Sequence, residues 1–233
     1  MQYPSAQDIN SIFNRIAPIY DQLNDSLSLG SHRLWKKMAL RFAEPSQGEV
    51  WLDLCCGSGD MAGLLAQKVA PTGRVIGVDF AESQLAIAKH KFPAHVQQYI
   101  QWQVGDALSL QFASASFDGV TIAYGLRNVV DMHQCLREMY RVLKQGGRAV
   151  VLDFHLPDNY LWRQFQEFYL RNIVVPTAKL YGMEQEYAYI FPSLLRFPQG
   201  RAQEQLALSC GFASAMHYAI AGGMMGILVL TKG

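Results

Sequence analysis

Residues 50–60 read VWLDLCCGSGD: an apolar strand carrying Asp53 runs into a Gly-Ser-Gly turn, and a second acid, Asp60, opens a helix. Gly57 and Gly59, with Ala62 at the third small position, fit the tight turn and close backbone approach of a nucleotide-cofactor loop. A pyrophosphate would settle on the N-terminus of the following helix, where free N–H groups and the helix dipole favour an anion. Asp53 and Asp60 flank that place with the wrong charge for phosphate. A cationic ligand suits it better. S-adenosylmethionine carries a sulfonium and an ammonium group and no phosphate, so carboxylates around the turn become attractive to it.

Outward from this loop, short apolar strands alternate with helical segments as far as Phe154, the pattern of βαβ crossovers on a parallel sheet. The spacing predicts strands at 50–54, 74–79, 99–104, 117–123 and 148–154, with helices at 59–69, 82–91 and 131–143. A helix at 200–210 and strands near 213–219 and 224–231 follow. Ala-Gly-Gly between the last two predicts an antiparallel hairpin on the edge of the sheet. Residues 158–198 break the rhythm with an aromatic-rich insertion, predicted helical at first and then irregular around Pro176, Gly182, Pro192 and Pro198.

The chain has 233 residues, half of them hydrophobic, enough for one domain with its own core. The division expected is 1–45 as N-terminal lid helices, 46–155 as a cofactor-binding core, 156–199 as a substrate cover, and 200–233 as a closing helix and hairpin. Lys plus Arg number 20 and Asp plus Glu 19, so no broad basic field exists to hold a nucleic-acid backbone. The cysteines at 55, 56, 135 and 210 form no Cys-x-x-Cys pair and read as reduced cytosolic thiols, with neither disulfide nor zinc expected. The start, MQYPSAQDIN, lacks the pattern of a secretory signal, and the longest apolar stretch, Ala219 to Leu230, is too short and glycine-broken to span a bilayer. A cytoplasmic protein, soluble or peripheral at a membrane, is the expectation.

Asp79 ends the second strand, where an acid can accept the ribose hydroxyls of an adenosine, or simply cap the helix that begins near Glu82. Asp106 and Ala107 close the third strand; a carboxylate and a backbone N–H there can read one purine edge, or form an ordinary turn.

DLCCGSGD, VIGVDF, GDA, SFDGVTIAYGLRNVVD and LKQGGRAVVLDF, in this order, resemble the class I S-adenosylmethionine methyltransferases. AYGLRNVVD, FNRIAPIYDQLND and YAYIFPSLLRFPQG resemble, more narrowly, the ubiquinone/menaquinone biosynthesis C-methyltransferase family. The doubled cysteine and TIAY are most like the branch acting on demethylphylloquinol, 2-phytyl-1,4-naphthoquinol. The resemblance covers nearly the whole chain. It implies a Rossmann-like α/β fold with a seven-stranded, mostly parallel sheet, an antiparallel edge hairpin and helices on both faces. It also implies S-adenosylmethionine as methyl donor, S-adenosylhomocysteine as product, and a lipophilic prenylated quinol as acceptor. By the same resemblance Asp53, Gly57, Ser58, Gly59, Asp79 and Phe80 line the cofactor pocket, with Asp106, Ala107 and the backbone of Ala123. Cys56 and Ala123 stand where the wider family commonly has glycine and serine, so only the backbone of Ala123 is carried over.

Ile9, Ile12, Phe13 and Ile16 are spaced for a short amphipathic helix that Pro18 should stop, leaving Tyr20 and Asp21 in a loop. Tyr20 could then shield the methionine end of the cofactor and Asp21 pair a cation or hold a hydroxyl; the bland reading is a packed Tyr and a turn Asp. Gly125-Leu126-Arg127-Asn128 follows strand four, at the sheet edge where open α/β folds bind ligands. Methylating a ring carbon needs a quinolate, so the phenolic proton, of pKa near about 10, must leave. Arg127 cannot readily be the base. It is expected to stabilise the quinolate oxygen while Asn128 orients the ring; the alternative is a structural Arg–carboxylate pair, with Asp131 the candidate. Asp153 and His155 are the next candidates to accept a proton.

Ten aromatic residues fall between Tyr160 and Phe197, so the insertion suits an apolar cover over a prenylated ring, a small core of its own, or a homodimer contact. Shallow membrane contact follows if the tail stays in the bilayer. The readings that compete are demethylmenaquinol or a benzoquinol as acceptor, a non-catalytic cofactor-binding scaffold, and a nicotinamide-dependent oxidoreductase.

Overall fold

The computed structural model describes residues 6–28 and 30–233; the residues 1–5 that open the segment read as lacking a secretory signal lie outside the described residues. Seven strands, β1 (Val50–Leu54), β2 (Arg74–Asp79), β3 (Ile100–Val104), β4 (Phe117–Ala123), β5 (Leu143–Phe154), β6 (Ser214–Ile220) and β7 (Met225–Thr231), form a single sheet in the order β3-β2-β1-β4-β5-β7-β6. The first five are mutually parallel, and β7 runs antiparallel to both β5 and β6. The edge hairpin is therefore the predicted one, its strands joined at Ala221–Gly223.

The strands at the middle of the sheet are apolar on both faces because both faces are covered. Leu52 and Leu54 of β1, Ala149 and Val151 of β5, and Leu228 and Leu230 of β7 pack in one core with Cys135, Leu136 and Met139 of a helix whose range is Met132–Val142. Their neighbours Trp51, Val150, Leu152 and Ile227 pack in the other core, against helices at Ser31–Ala43 and Asp60–Val69. The period-two alternation along each strand thus sorts side chains between two helical layers.

In chain order the helices are α1 (Ala6–Ser28), α2 (Ser31–Ala43), α3 (Asp60–Val69), α4 (Glu82–Lys91), α5 (Ala94–Gln97), α6 (Met132–Val142), α7 (Tyr160–Tyr169), α8 (Val175–Leu180), α9 (Glu184–Ala188), α10 (Ile190–Arg196) and α11 (Arg201–Ser209). Two expectations are corrected. Pro18 does not stop the first helix: α1 continues through it to Ser28, so Tyr20 and Asp21 sit on a helix and not in a loop. Proline at 18 takes away the N–H that would bond the Asn14 carbonyl. Ser83 Oγ of α4 lies 3.1 Å from that carbonyl and 2.5 Å from Asn14 Oδ1, so its one proton is shared between the two and the loss is met in part from outside the helix.

The insertion is also more helical than predicted. A π-helical turn over Leu170–Val174 joins α7 to α8, and α9 and α10 follow. Pro192 lies in the first turn of α10, a position where an N–H has no partner in its own helix, and Pro176 of α8 comes just after the π-helical turn. Leu170, Val174, Ala178, Tyr187 and Leu194 of this segment close on Leu23 of α1 in a third, smaller core.

Candidate active site

The glycine turn is shaped by contacts on both sides. Gly59 has φ +87°, and a Cβ there would lie 2.3 Å from Trp102 Cη2 of β3, so the residue must be glycine for the turn to reach this depth. Gly57, with φ +54°, donates its N–H to Asp79 Oδ2 at 2.7 Å, while Asp79 Oδ1 accepts the N–H of Ala81 at 2.8 Å. Asp79 thus ties the turn after β1 to the turn after β2. Burial raises its carboxyl pKa, against the opposing pull of these backbone donors. A carboxylate offers about four lone-pair positions, so two remain for hydroxyl groups.

A cavity opens over this turn. Gly57, Asp79, Phe80, Asp106, Ala107 and Ala123 line it from the sheet edge, and Ile9, Phe13 and Tyr20 of α1 line it from above. Asp106 Oδ1 accepts the N–H of Leu108 at 2.9 Å, which holds the turn after β3 open toward the cavity. Six of the residues expected at the cofactor therefore converge.

Three others are placed differently. Asp53 is 1% exposed and absent from the cavity wall; its Oδ1 accepts a hydrogen bond from Thr121 Oγ1 of β4 at 2.7 Å. Burial pushes its carboxyl up to about 7, though the Thr121 bond works against this. Gly59 faces Trp102, and Ser58 is buried with its hydroxyl donating to Asp21 Oδ1 at 2.6 Å. Asp21 also receives Lys91 Nζ at 2.6 Å, and Asp60 lies between Lys91 at 2.5 Å and Lys36 at 2.7 Å. Burial alone would raise the Asp60 carboxyl, but the two ammonium groups hold it well below the usual carboxylate range. The cationic attraction read from Asp53 and Asp60 is thus largely met within the protein. Among the described residues, the carboxylates left to face the cavity are Asp79 and Asp106.

A second cavity, of about 350 Å³, lies against the first beneath the insertion. The two share Ile9, Phe13, Tyr20, Tyr124 and Asn128. Its wall is mostly apolar, with Trp35, Phe154, Phe165, Leu170 and Val174 among the lining side chains. Arg127 and Asn128 lie on a short 3₁₀ turn, Leu126–Asn128, that begins where Gly125 packs on Cys55 and Tyr124 takes a left-handed φ of +62°. Arg127 lines this cavity and is buried against Asp153: its Nη1 donates to Asp153 Oδ1 at 2.6 Å and to Tyr124 O at 2.8 Å, and its backbone N–H reaches Asp153 Oδ2 at 3.1 Å. Its guanidinium also stacks 5.1 Å from the Phe154 ring centre. The structural carboxylate for Arg127 is therefore Asp153, whereas Asp131 caps α6 by accepting the Gln134 N–H at 2.9 Å. His155 lines neither cavity and packs its ring 4.4 Å from that of His217.

Sequence reasoning counted Tyr187 among the aromatic residues of the cover but gave it no polar role, and it passed over Tyr124 and Gln166. All three line the second cavity, and each has a buried polar atom, Tyr124 Oη, Gln166 Oε1 and Tyr187 Oη, with no hydrogen-bond partner among the described residues. Buried polar groups are normally satisfied, so atoms left over on a cavity wall mark where a ligand's oxygens can bind. Tyr124 stands directly before GLRN and could have been found there; Tyr187 was marked only by the aromatic clustering of the insertion, and Gln166 carries no such signal.

A family model described as the ubiE/COQ5 methyltransferase family matches residues 1–232. A 2-phytyl-1,4-naphtoquinone methyltransferase of Trichormus variabilis is 52% identical over 97% of this chain and 99% of its own length. One of the same description from Synechocystis is 51% identical, covering 98% of this chain and 97% of that one. The chloroplastic 2-phytyl-1,4-beta-naphthoquinone methyltransferase of Arabidopsis thaliana is 48% identical over 95% of this chain and 86% of its own. Among solved structures, S-adenosylmethionine-dependent methyltransferases of Thermotoga maritima (TM-score 0.67, 18% identity, 96% and 99% of the two chains) and Aquifex aeolicus (TM-score 0.63, 13% identity, 85% and 89%) share the fold.

Proposed function

Since the chain belongs to the ubiE/COQ5 methyltransferase family and uses S-adenosylmethionine as its methyl donor, we propose that it methylates a ring carbon of 2-phytyl-1,4-naphthoquinol. The observation that carries this reading is the pair of cavities meeting at Tyr20, Tyr124 and Asn128, one polar at its floor and the other apolar. Two ligands placed so need only be held near attack distance, and that positioning is the main source of rate for a simple displacement. The donor, when bound, supplies an electrophilic methyl group. The chain's own residues hold it: Asp79 takes the ribose hydroxyls on its remaining lone pairs, Asp106 and the Ala107 N–H take the adenine edge, and Tyr20 closes the side toward the second cavity. Asp21 acts at one remove, through Ser58 and Lys91. Arg127 stabilises the quinolate oxygen and Asn128 orients the ring.

In this reading 46–155 bind the cofactor, 1–45 close over it, 156–199 cover the acceptor and 200–233 complete the sheet. Mass analysis of products from a panel of reduced and oxidised quinones tests it. Transfer to phytyl-naphthoquinol in preference to demethylmenaquinol or a benzoquinol is expected. Equal turnover of an oxidised quinone would sink the quinolate chemistry, and cofactor binding without transfer to any quinol would make the protein a scaffold.

Removing the Asp79 carboxylate deletes charged hydrogen bonds to a ligand. Asp79→Ala is expected to weaken S-adenosylhomocysteine binding by about 1.5–3 kcal/mol, measured by calorimetry. An unchanged dissociation constant would refute the ribose role.

Among the described residues no helix is long and apolar enough to cross a membrane. The outer face of α7 is nonetheless greasy: Leu161, Phe165 and Phe168 follow a helical stripe and are exposed by 74%, 49% and 59%. Phe165 belongs at once to this stripe and to the cavity wall. Our reading is that α7 rests on the bilayer surface of a cytoplasmic compartment and passes the ring inward while the tail stays in lipid. Leu161→Asp with Phe168→Asp should then reduce cosedimentation with phospholipid vesicles about tenfold or more, from the loss of about 1.5–3 kcal/mol per apolar side chain. Unaltered cosedimentation would defeat the idea, and a doubled mass free of vesicles would assign the stripe to a homodimer.

A further inference from the structure

We propose that His32 is the general base that removes the phenolic proton of the acceptor ring, an inference that rests on reading the second cavity as the quinol site. Among the described residues, the titratable side chains on that cavity wall are Tyr20, Tyr124, Tyr169, Tyr187 and Tyr189, with Arg127 and His32. A tyrosine hydroxyl is no stronger a base than the phenol it would serve, and a guanidinium has no lone pair to give. His32 alone in this set can be neutral at pH 7 and accept a proton.

The hydrogen bonds around His32 fix which nitrogen is free. Ser28 Oγ lies 2.8 Å from His32 Nδ1 and 2.6 Å from the carbonyl of Asn24. With the hydroxyl proton assigned to the Asn24 carbonyl, the nearer of the two acceptors, Nδ1 carries a hydrogen and donates it to Ser28. Nε2 is left with its lone pair. Asp25 Oδ1 stands 3.5 Å from Nε2, long for a hydrogen bond but near enough to stabilise the imidazolium that forms. Arg33 holds the other oxygen of Asp25. The charged groups facing the ring are Asp25 from α1, Arg33 and Lys36 from its own helix, and Asp60 from α3. Burial first, and then Lys36, keep the imidazole pKa below its ordinary value, so the base is unprotonated at neutral pH. His155 offers no comparable route, since it lines neither cavity.

The proton count closes. The O–H bond breaks, the proton moves to Nε2 and the electron pair stays on oxygen, where Arg127 meets it. The ring carbon then bonds the donated methyl carbon as the methyl–sulfur bond breaks, its electron pair going to sulfur. The methylated carbon next loses its own hydrogen as a proton to water, and the ring oxygen takes back the proton held by His32. One proton in total reaches solvent.

The test is the pH profile of kcat/KM for the full-length protein with S-adenosylmethionine and a naphthoquinol, alongside calorimetry with S-adenosylhomocysteine. The wild type should lose rate as pH falls through a pKa below about 6.5 and stay level above it. His32→Gln should lower kcat/KM by about 10²–10⁴-fold, with unchanged calorimetric affinity and a rate that climbs toward the phenol's own pKa near about 10. A His32→Gln enzyme that keeps both rate and acid limb overturns the proposal. Should that variant lose cofactor affinity, Asp25→Asn decides: its acid limb should move to lower pH, because Asp25 raises the His32 pKa, and an unmoved limb overturns the proposal. Wild-type protein inactive on every quinol would defeat the underlying reading and this one together, whereas an active wild type beside an unaffected His32→Gln defeats this one alone.

Discussion

Arg127→Ala is expected to cost about 3–5 kcal/mol of stability, a penalty typical of a buried ion pair that loses one partner. Asp153 is 1% exposed, and the substitution would leave its Oδ1 without the guanidinium while the backbone N–H groups of Arg127 and Phe154 still hold the carboxylate in place. The carbonyl of Tyr124 would also lose a donor, at the point where the chain takes its left-handed turn into the cavity wall. Domains are stable by only about 5–15 kcal/mol, so the loss should be plain in urea denaturation. Turnover should fall as well, and Arg127→Lys separates the two effects: it restores a charge for Asp153 but not the planar fork that can serve carboxylate, carbonyl and quinolate together. Arg127→Ala with wild-type stability would mean that the Asp153 carboxylate does not depend on the guanidinium.

Trp51→Ala should be nearly as damaging, at about 3–5 kcal/mol. The indole is 1% exposed in the core between the sheet and helices α2 and α3, and its Nε1 donates to Glu49 Oε2 at 2.8 Å. It lies over Gly119 of β4 so closely that a Cβ there would stand 2.2 Å from Cη2. Alanine would empty that space, and the neighbouring strands are held by hydrogen bonds that limit how far they can move in to fill it. A lower midpoint at unchanged slope in urea denaturation is the expected signature. A loss under about 1 kcal/mol would show that the core collapses to fill the void.

How much of this was legible follows from the range of each interaction. The strands could be read because their periodicity and glycine punctuation are local; their order in the sheet was not read, because crossover rules fix the hand of each connection and not which strands become neighbours. The glycine turn was legible for the same reason. Pro18 misled because its effect inside a helix depends on whether something else takes the abandoned carbonyl, and Ser83 is far along the chain. Asp60 misled similarly: an acid beside a glycine turn looks available until Lys36 and Lys91 arrive from two other helices. Arg127 was singled out correctly as a residue at the sheet edge, but Asp153, its partner, is the end of a different strand. Short-range geometry is written in order along the chain; the pairing of charges is not.

One consequence of α1 concerns the two ligands jointly. Ile9, Phe13 and Tyr20 form part of both cavity walls, so whichever ligand arrives first settles side chains that the second would otherwise have to settle. Linkage then makes the benefit symmetrical: the factor by which bound S-adenosylhomocysteine tightens quinol binding must equal the factor by which quinol tightens S-adenosylhomocysteine. That places the helix in a thermodynamic square with four measurable sides, of which any three determine the fourth. Shortening Phe13 to alanine should bring the common factor toward one from both directions at once.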